Sequence, residues 1–234
     1  MTGLLTQRLQ QACDNAVAMW TALGRARGHD VRSHDGFAVI DGPAAVRIMP
    51  TTPDPGEDPA PVAKACKDHG RALVVEDPFG TLDLTAVGMT ARHLPVMVRE
   101  PAPAPEPEPA AGVRRVGTGG NLVRAGRMVV DGFPLEHYRA GDVFPLSLLE
   151  QDGPAFFTLG DAGACLTMAH GGVGGAYWVT TMPEHRSKGV GRTLMHAVLR
   201  HFDGLPVTLT AARAGKPLYD SLGFETVGDA HWWS

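Results

Sequence analysis

The fold of this chain is indicated most clearly by the stretch Val179-Thr180-Thr181-Met182-Pro183-Glu184-His185-Arg186-Ser187-Lys188-Gly189-Val190-Gly191-Arg192. A β-rich run ends at the proline, a glycine-containing turn with several cations follows, and an amphipathic helix is predicted to begin near Val190. Glycine lacks a Cβ and lets the main chain approach a ligand closely, while the first turn of a helix presents N–H groups without intrahelical acceptors. Together with the helix dipole and the charges of Arg186, Lys188 and Arg192, this stretch predicts a site for a diphosphate.

Two other phosphate-binding loops do not fit this stretch. A dinucleotide-binding fingerprint requires a third glycine three positions after the second, and this chain has Leu194 there. A P-loop requires Gly-Lys-Ser/Thr after four intervening residues, and the sequence contains no such run. On this motif alone, a structural strand–turn–helix connection with surface cations and no ligand stays open as the alternative.

The spacing Arg186-x-x-Gly189-x-Gly191 resembles the acetyl-CoA pyrophosphate loop of the GCN5-related N-acetyltransferases, or GNATs. One helix and one strand later, the run Leu218-Tyr219-Asp220-Ser221-Leu222-Gly223-Phe224 resembles the second signature of the same family. Many members carry Ala-Ser at the turn before this run, where the present chain has Ala212 in place of the serine. The resemblance implies a GNAT fold: an α/β (α+β) protein whose mixed, mostly antiparallel central sheet is flanked by helices and has splayed central strands.

The resemblance also implies acetyl-CoA as the acyl donor and a set of residues that binds it. The strand edge and the cation loop would hold the pantetheine arm and the diphosphate, through Val179, Thr180, Thr181, Arg186, Ser187, Lys188, Gly189, Val190, Gly191, Arg192 and Thr193. Tyr219 would protonate the departing CoA thiolate, because a phenol stays protonated at neutral pH. A tyrosine that merely packs the Leu-Gly-Phe corner is the structural alternative.

The general base that would deprotonate the acceptor amine has no clear candidate. Many GNATs carry a glutamate on the strand before the cation loop, but the segment 177–182 contains no carboxylate. His170 is the first candidate, and Glu136, His137 and Glu150 are weaker ones. A surface role is the alternative for each of them, and water alone would suffice for an amine whose pKa is low enough.

The alternating prolines of residues 101–111 predict a semi-rigid linker that divides the chain. We expect an N-terminal α/β domain over 1–100 and the GNAT domain over 112–234. The N-terminal part, with a predicted helix from Leu4 to Arg27, is similar in element order to a degenerate second GNAT copy, as in tandem GNATs. An unrelated extension is the alternative. In the C-terminal part, the stretch from 117 to 149 has no clear secondary structure by pattern.

Composition narrows the class of protein. A formal net charge of −4 argues against nucleic-acid binding, and no apolar run is long enough to span a membrane or act as a signal peptide. Three separated cysteines predict neither a disulfide framework nor a metal site, so we expect no metal. These features predict a cytoplasmic protein, monomeric or homodimeric.

The sequence therefore predicts an N-acetyltransferase that moves acetyl from acetyl-CoA to a primary amine of a small molecule or peptide, directly within a ternary complex. A CoA-binding sensor or interaction protein without catalysis is the alternative, because the strand carboxylate is missing and Ala212 replaces serine. Trp178, Trp232, Trp233 and Phe144 are candidates for an apolar acceptor pocket or for simple packing.

Overall fold

The computed structural model describes residues 2–102, 112–133, 138 and 140–234. Their contacts form two compact units, Met1–Val98 with Thr210–Ser234, and Arg99–Leu209. The segment 210–234 thus groups with the N-terminal part, whereas the sequence-based division places it with residues 112–209. Most of the proposed linker lies outside the described residues. No helix in the described part of the chain is long and apolar enough to cross a membrane.

The first unit contains three helices and six strands. They are α1 (Thr2–Ala26), β1 (Asp30–Ser33), β2 (Phe37–Asp41), β3 (Val46–Pro50), α2 (Ala60–Asp68), β4 (Leu73–Asp77), a 3-10 turn (Thr85–Val87), β5 (Ala91–Arg99), α6 (Lys216–Ser221) and β11 (Glu225–Trp233). The strand order is β1-β2-β3-β4-β11-β5, antiparallel throughout except for β3 and β4. The C-terminal strand β11 thus lies between two strands of the N-terminal part.

The second unit contains β6 (Val113–Arg115), α3 (Gly119–Gly132), α4 (Ala140–Val143), a 3-10 turn (Leu146–Glu150), β7 (Pro154–Leu159), β8 (Gly163–His170), β9 (Val173–Thr181), a 3-10 turn (Pro183–His185), α5 (Val190–His201) and β10 (Val207–Thr210, all but its last residue). Its strand order is β10-β9-β8-β7-β6. All neighbours are antiparallel except β9 and β10, which α5 connects. The mixed, mostly antiparallel sheet with helices confirms the predicted fold class.

The two units connect their strands and helices in the same order. In the first, three antiparallel strands lead through α2 into the parallel strand β4. In the second, the antiparallel strands β7, β8 and β9 lead through α5 into the parallel strand β10. A parallel neighbour requires a crossover connection, and both units place a helix there.

Sequence patterns predicted most of these elements and missed a few. The short strand β1 was not predicted from the sequence. Helix α3 was also missed because four glycines lower its intrinsic propensity. Tertiary packing compensates for them: Leu122, Met128 and Val129 are buried in the core. At Gly132 a Cβ would lie 2.2 Å from Cγ2 of Thr180, so the close packing of α3 requires this glycine.

Candidate acyl-CoA site

A β-bulge interrupts β9 just before its C-terminal end. The register pairs Ala164 with Thr180 and Leu166 with Tyr177, so two residues, Trp178 and Val179, oppose the single residue Cys165 of β8. Trp178 has a positive φ of 46°, which is uncommon for a residue other than glycine. The Thr180 hydroxyl donates a hydrogen bond of 2.8 Å to the Trp178 carbonyl across the bulge. A bulge bends and twists its strand, and this one does so where the ladder to β10 has already ended.

The parallel pairing of β9 with β10 is short. It covers Val207 with Gly174 and Thr208 with Gly175, and the Gly174 N–H donates to the Pro206 carbonyl at 2.9 Å. β9 continues for six residues beyond Gly175 and stays paired with β8 as far as Thr181. On the β10 side, no strand of the described residues pairs with this second half of β9. The splayed central strands predicted from the sequence are therefore present within the second unit.

The cation loop begins directly after this open edge. Arg186, Ser187, Lys188 and Gly189 are all exposed, and Ser187 and Gly189 have φ values of 60° and 80°. A serine in the left-handed region is strained by about 1–2 kcal/mol, whereas glycine adopts it freely. The Lys188 ammonium donates to the Glu184 carbonyl at 2.8 Å, which holds the turn together.

Helix α5 opens with its N–H groups towards this loop. Gly189 is the N-cap residue and has no side chain to cap them, and the first turn carries no acidic residue. The first helical bond of α5 runs from the Thr193 N–H to the Gly189 carbonyl, at 2.9 Å, and the Thr193 hydroxyl also donates to that carbonyl at 3.1 Å. The N–H groups of Val190 and Gly191 therefore have no acceptor within the helix. A Cβ at Gly189 would meet no atom within 4 Å, so the space before the helix is open.

Close contacts with glycines hold α5 against the sheet at both ends. At its start, a Cβ on Gly163 of β8 would lie 2.8 Å from Val190 Cγ1 and 2.4 Å from the Thr180 carbonyl oxygen. At its end, a Cβ on Gly174 would lie 2.2 Å from the Phe202 ring. Helix α5 therefore packs closely on β8 and β9, and its first turn lies at the C-terminal end of β9. This arrangement presents amides and cations at one end of a strand edge that offers main-chain hydrogen bonds.

Cys165, which lies opposite the bulge, has no nucleophilic character. Its side chain is buried, and burial raises the pKa of the thiol to about 12. The thiolate is the reactive form of cysteine, and it is negligible at neutral pH for such a group. Burial and the raised pKa both argue against a covalent acyl-cysteine at this position.

The two predicted catalytic residues belong to different units. Tyr219 belongs to the first unit, on α6, where its half-buried ring packs edge-on against Phe224 with 5.8 Å between centroids. His170 is exposed and pairs with Val173 at the hairpin end of β9, five residues and about 16 Å along the strand from Trp178. The register therefore gives no support to His170 as the base, and its role stays a prediction, as does that of Tyr219.

The remaining candidates divide between surface and core. Glu136 and His137 lie outside the described residues, and Glu150 is exposed. Phe144 is buried, and its ring centroid lies 4.7 Å from that of Phe156 and 5.7 Å from that of Trp178. It therefore packs against the first residue of the bulge. No sequence pattern singled out the bulge, because its only signature is the register of two strands.

Comparison with known proteins agrees with this geometry. The family model described as Acetyltransferase (GNAT) domain matches residues 150–226, about a third of the chain. No curated protein sequence matches the chain.

Among solved structures, a GCN5-related N-acetyltransferase from Kribbella flavida has a TM-score of 0.62 at 20% identity, covering 93% of this chain and 94% of that one. A GCN5-related N-acetyltransferase from Sphaerobacter thermophilus has a TM-score of 0.54 at 17% identity, covering 97% and 90%. A tandem GNAT protein from the clavulanic acid biosynthesis pathway has a TM-score of 0.51 at 15% identity, covering 84% and 77%. These likenesses show the GNAT fold.

Proposed function

From the GNAT domain that the chain contains over residues 150–226, we propose that this protein transfers acetyl from acetyl-CoA to a primary amine. The acceptor is a small molecule or peptide, and transfer is direct, within a ternary complex. The observation that carries the proposal is the combination, within one unit, of an open β9 edge and a helix start whose N–H groups have no side-chain cap. A diphosphate linked to an amide chain is the class of ligand that uses both.

Each part of acetyl-CoA has a partner of suitable chemistry in this site. The N–H groups of Val190 and Gly191, with the charges of Arg186 and Lys188, suit the diphosphate. The amides of the pantetheine arm would pair with the β9 edge in the manner of an added strand. The bulge at Trp178 would then lie beside the thioester end of the arm, where the sheet edge turns.

Direct transfer accounts for every bond and proton of the reaction without a covalent enzyme intermediate. The neutral amine nitrogen attacks the thioester carbonyl carbon, the C–N bond forms, and the C–S bond breaks as the tetrahedral intermediate collapses. The nitrogen loses a proton to water or to a base, and the thiolate gains one, which we assign to the Tyr219 hydroxyl on the family resemblance. The buried, protonated Cys165 supports this order over a double-displacement route.

The first unit lacks such a loop, which supports its assignment as a degenerate GNAT-like copy. It repeats the connectivity of the second unit, but the segment before α2 carries Asp54, Glu57 and Asp58 and no cation. These carboxylates would repel a diphosphate. Only the second unit therefore has the charge that cofactor binding needs, and we assign one acetyl-CoA to each chain.

The test is release of free CoA thiol from acetyl-CoA in the presence of a broad library of amines, followed with a thiol reagent. Acceptor-dependent release supports the acetyltransferase. Isothermal titration with acetyl-CoA on the same sample separates the alternatives, because binding without release for any acceptor would favour the CoA-binding sensor. Absence of both binding and release would contradict the proposal as a whole.

A further inference from the structure

Two histidines and one aspartate of the first unit meet on one face of its sheet. His93 on β5 and His231 on β11 are directly opposed partners in the antiparallel register. Asp229 precedes His231 by two residues, so its side chain points to the same face. A bulge at Val227 adds one residue to β11 before Asp229. It therefore changes which residues of β11 point to each face of the sheet and places Asp229 and His231 on the face of His93.

The three side chains already converge. His93 Nδ1 lies 2.9 Å from Asp229 Oδ2, and the two imidazole centroids are 4.3 Å apart at an interplanar angle of 62°. One ligand atom from each residue lies within 4.8 Å of the others. Around a tetrahedral zinc ion with bonds of about 2.0–2.1 Å, neighbouring ligand atoms are separated by about 3.4 Å. His93 and Asp229 are exposed, so their side chains have room to rotate towards this separation.

His231 has a polar atom that the surrounding protein leaves unused. Its Nδ1 is buried and has no hydrogen-bond partner among the described residues, an arrangement that costs free energy unless something occupies it. The loop after β4 approaches the same ring: a Cβ at Gly80, where φ is 66°, would lie 3.0 Å from His231 Nε2 and 2.9 Å from the Asp229 carbonyl oxygen. This contact limits the rotation of the imidazole, so one ligand of the three is oriented in advance.

We propose that His93, Asp229 and His231 form a binding site for one divalent transition-metal ion of the zinc, cobalt or nickel type. Two imidazoles and one carboxylate favour such ions over magnesium or calcium, which prefer all-oxygen ligands. Three protein ligands leave at least one position for water. The site shares no residue with the proposed acetyl transfer, since none of its three residues is assigned to the cofactor or to catalysis.

The ion would join β11 to β5 across a long loop in the sequence. His93 and Asp229 are separated by 136 positions, so a bond through the metal closes a large loop and removes conformational freedom mainly from the unfolded chain. Its effect would be to hold the C-terminal strand in the sheet of the N-terminal part. Metal binding should therefore raise the thermal stability of the protein as well as give a spectroscopic signal.

The chain offers a matched control. His34 Nδ1 lies 3.0 Å from Glu57 Oε2, a histidine–carboxylate pair with nearly the same separation as that of His93 and Asp229, although His34 is half-buried. The metal-ligand triad found among the described residues does not include this pair. If histidine–carboxylate pairing alone attracted metal, removal of His34 would weaken binding as much as removal of His93.

The experiment uses the full chain without an affinity tag, dialysed against a chelator and then titrated with Co²⁺ and followed by its visible absorption. We expect one Co²⁺ per chain, displacement by Zn²⁺, and a rise in Tm with Zn²⁺. His93→Ala and Asp229→Asn should each weaken binding about tenfold or more and abolish the Tm shift, with His34→Ala unchanged. Both altered side chains are exposed, so these variants should fold, and circular dichroism checks this.

Two results would overturn the proposal. The first is a wild-type chain that shows neither Co²⁺ absorption nor a Tm shift at millimolar metal. The second is stoichiometric binding that survives both His93→Ala and Asp229→Asn, which would assign the ion to other residues.

Discussion

Gly189 and Gly204 flank helix α5 and allow the anion site to be tested by a matched pair of substitutions. Gly189 has φ 80° and Gly204 has φ 79°, and a Cβ at either position would meet no atom within 4 Å. Alanine at either position therefore introduces the same backbone strain and no clash, about 1–2 kcal/mol in the free energy of unfolding. Only Gly189 lies beside the first-turn N–H groups, since α5 has 12 residues and separates the two positions by about 18 Å.

The two variants should differ in ligand binding alone. In Gly189→Ala the methyl group projects into the open space before the helix, where the proposed diphosphate would lie. Displacing the phosphate from a charge-assisted hydrogen bond with a main-chain N–H costs about 1.5–3 kcal/mol, which corresponds to an increase in Kd of about tenfold to a hundredfold. Gly204→Ala should leave the Kd unchanged.

The measurements are urea unfolding for both variants and isothermal titration with CoA. We expect both variants to lose the same free energy of unfolding, and only Gly189→Ala to show a higher Kd for CoA. If both variants bind CoA as the wild type does, the diphosphate does not lie against the start of α5, and the proposed function loses the observation that carries it.

Three further substitutions probe catalysis and stability. Tyr219→Phe keeps the ring contact with Phe224 and should fold, as checked by circular dichroism, while lowering kcat by about 10²–10⁴-fold once an acceptor is known. An unchanged kcat would remove its acid role. His201 is an exposed residue whose ring packs against Phe157 and Phe202, and this partial desolvation lowers its pKa. The unfolded chain therefore binds this proton more readily, and stability falls as pH drops below about 6.5. Unfolding measured between pH 7.5 and 5 should show a smaller fall for His201→Gln, and equal falls would refute the assignment. Glu76 is buried and forms an ion pair with Arg47, so Glu76→Ala should lower the free energy of unfolding in urea by about 3–5 kcal/mol. A loss of about 1 kcal/mol or less, as for an exposed ion pair, would contradict this reasoning.

The strand–loop–helix at the site was predictable because each part has a local cause. The aromatic and β-branched run from Tyr177 to Thr181 favours β9, glycine supplies the left-handed N-cap at residue 189, and apolar residues at helical spacing define α5. Because these patterns act only over neighbouring residues, they did not predict helix α3. Its glycines disfavour a helix, and the reason for Gly132 is a contact with Thr180, which lies far away in the sequence.

The sequence by itself determined the cation loop, the glycine positions and the strand and helix that flank the loop, because dihedral preferences and hydrophobic periodicity act over a few residues. Only the tertiary structure decided where the β9–β10 ladder ends, that Trp178 and Val179 bulge opposite Cys165, and that β11 lies between β4 and β5. It also decided that His93 faces His231. Strand register depends on packing across the whole sheet, so no local sequence pattern predicts which residues distant in the chain become neighbours.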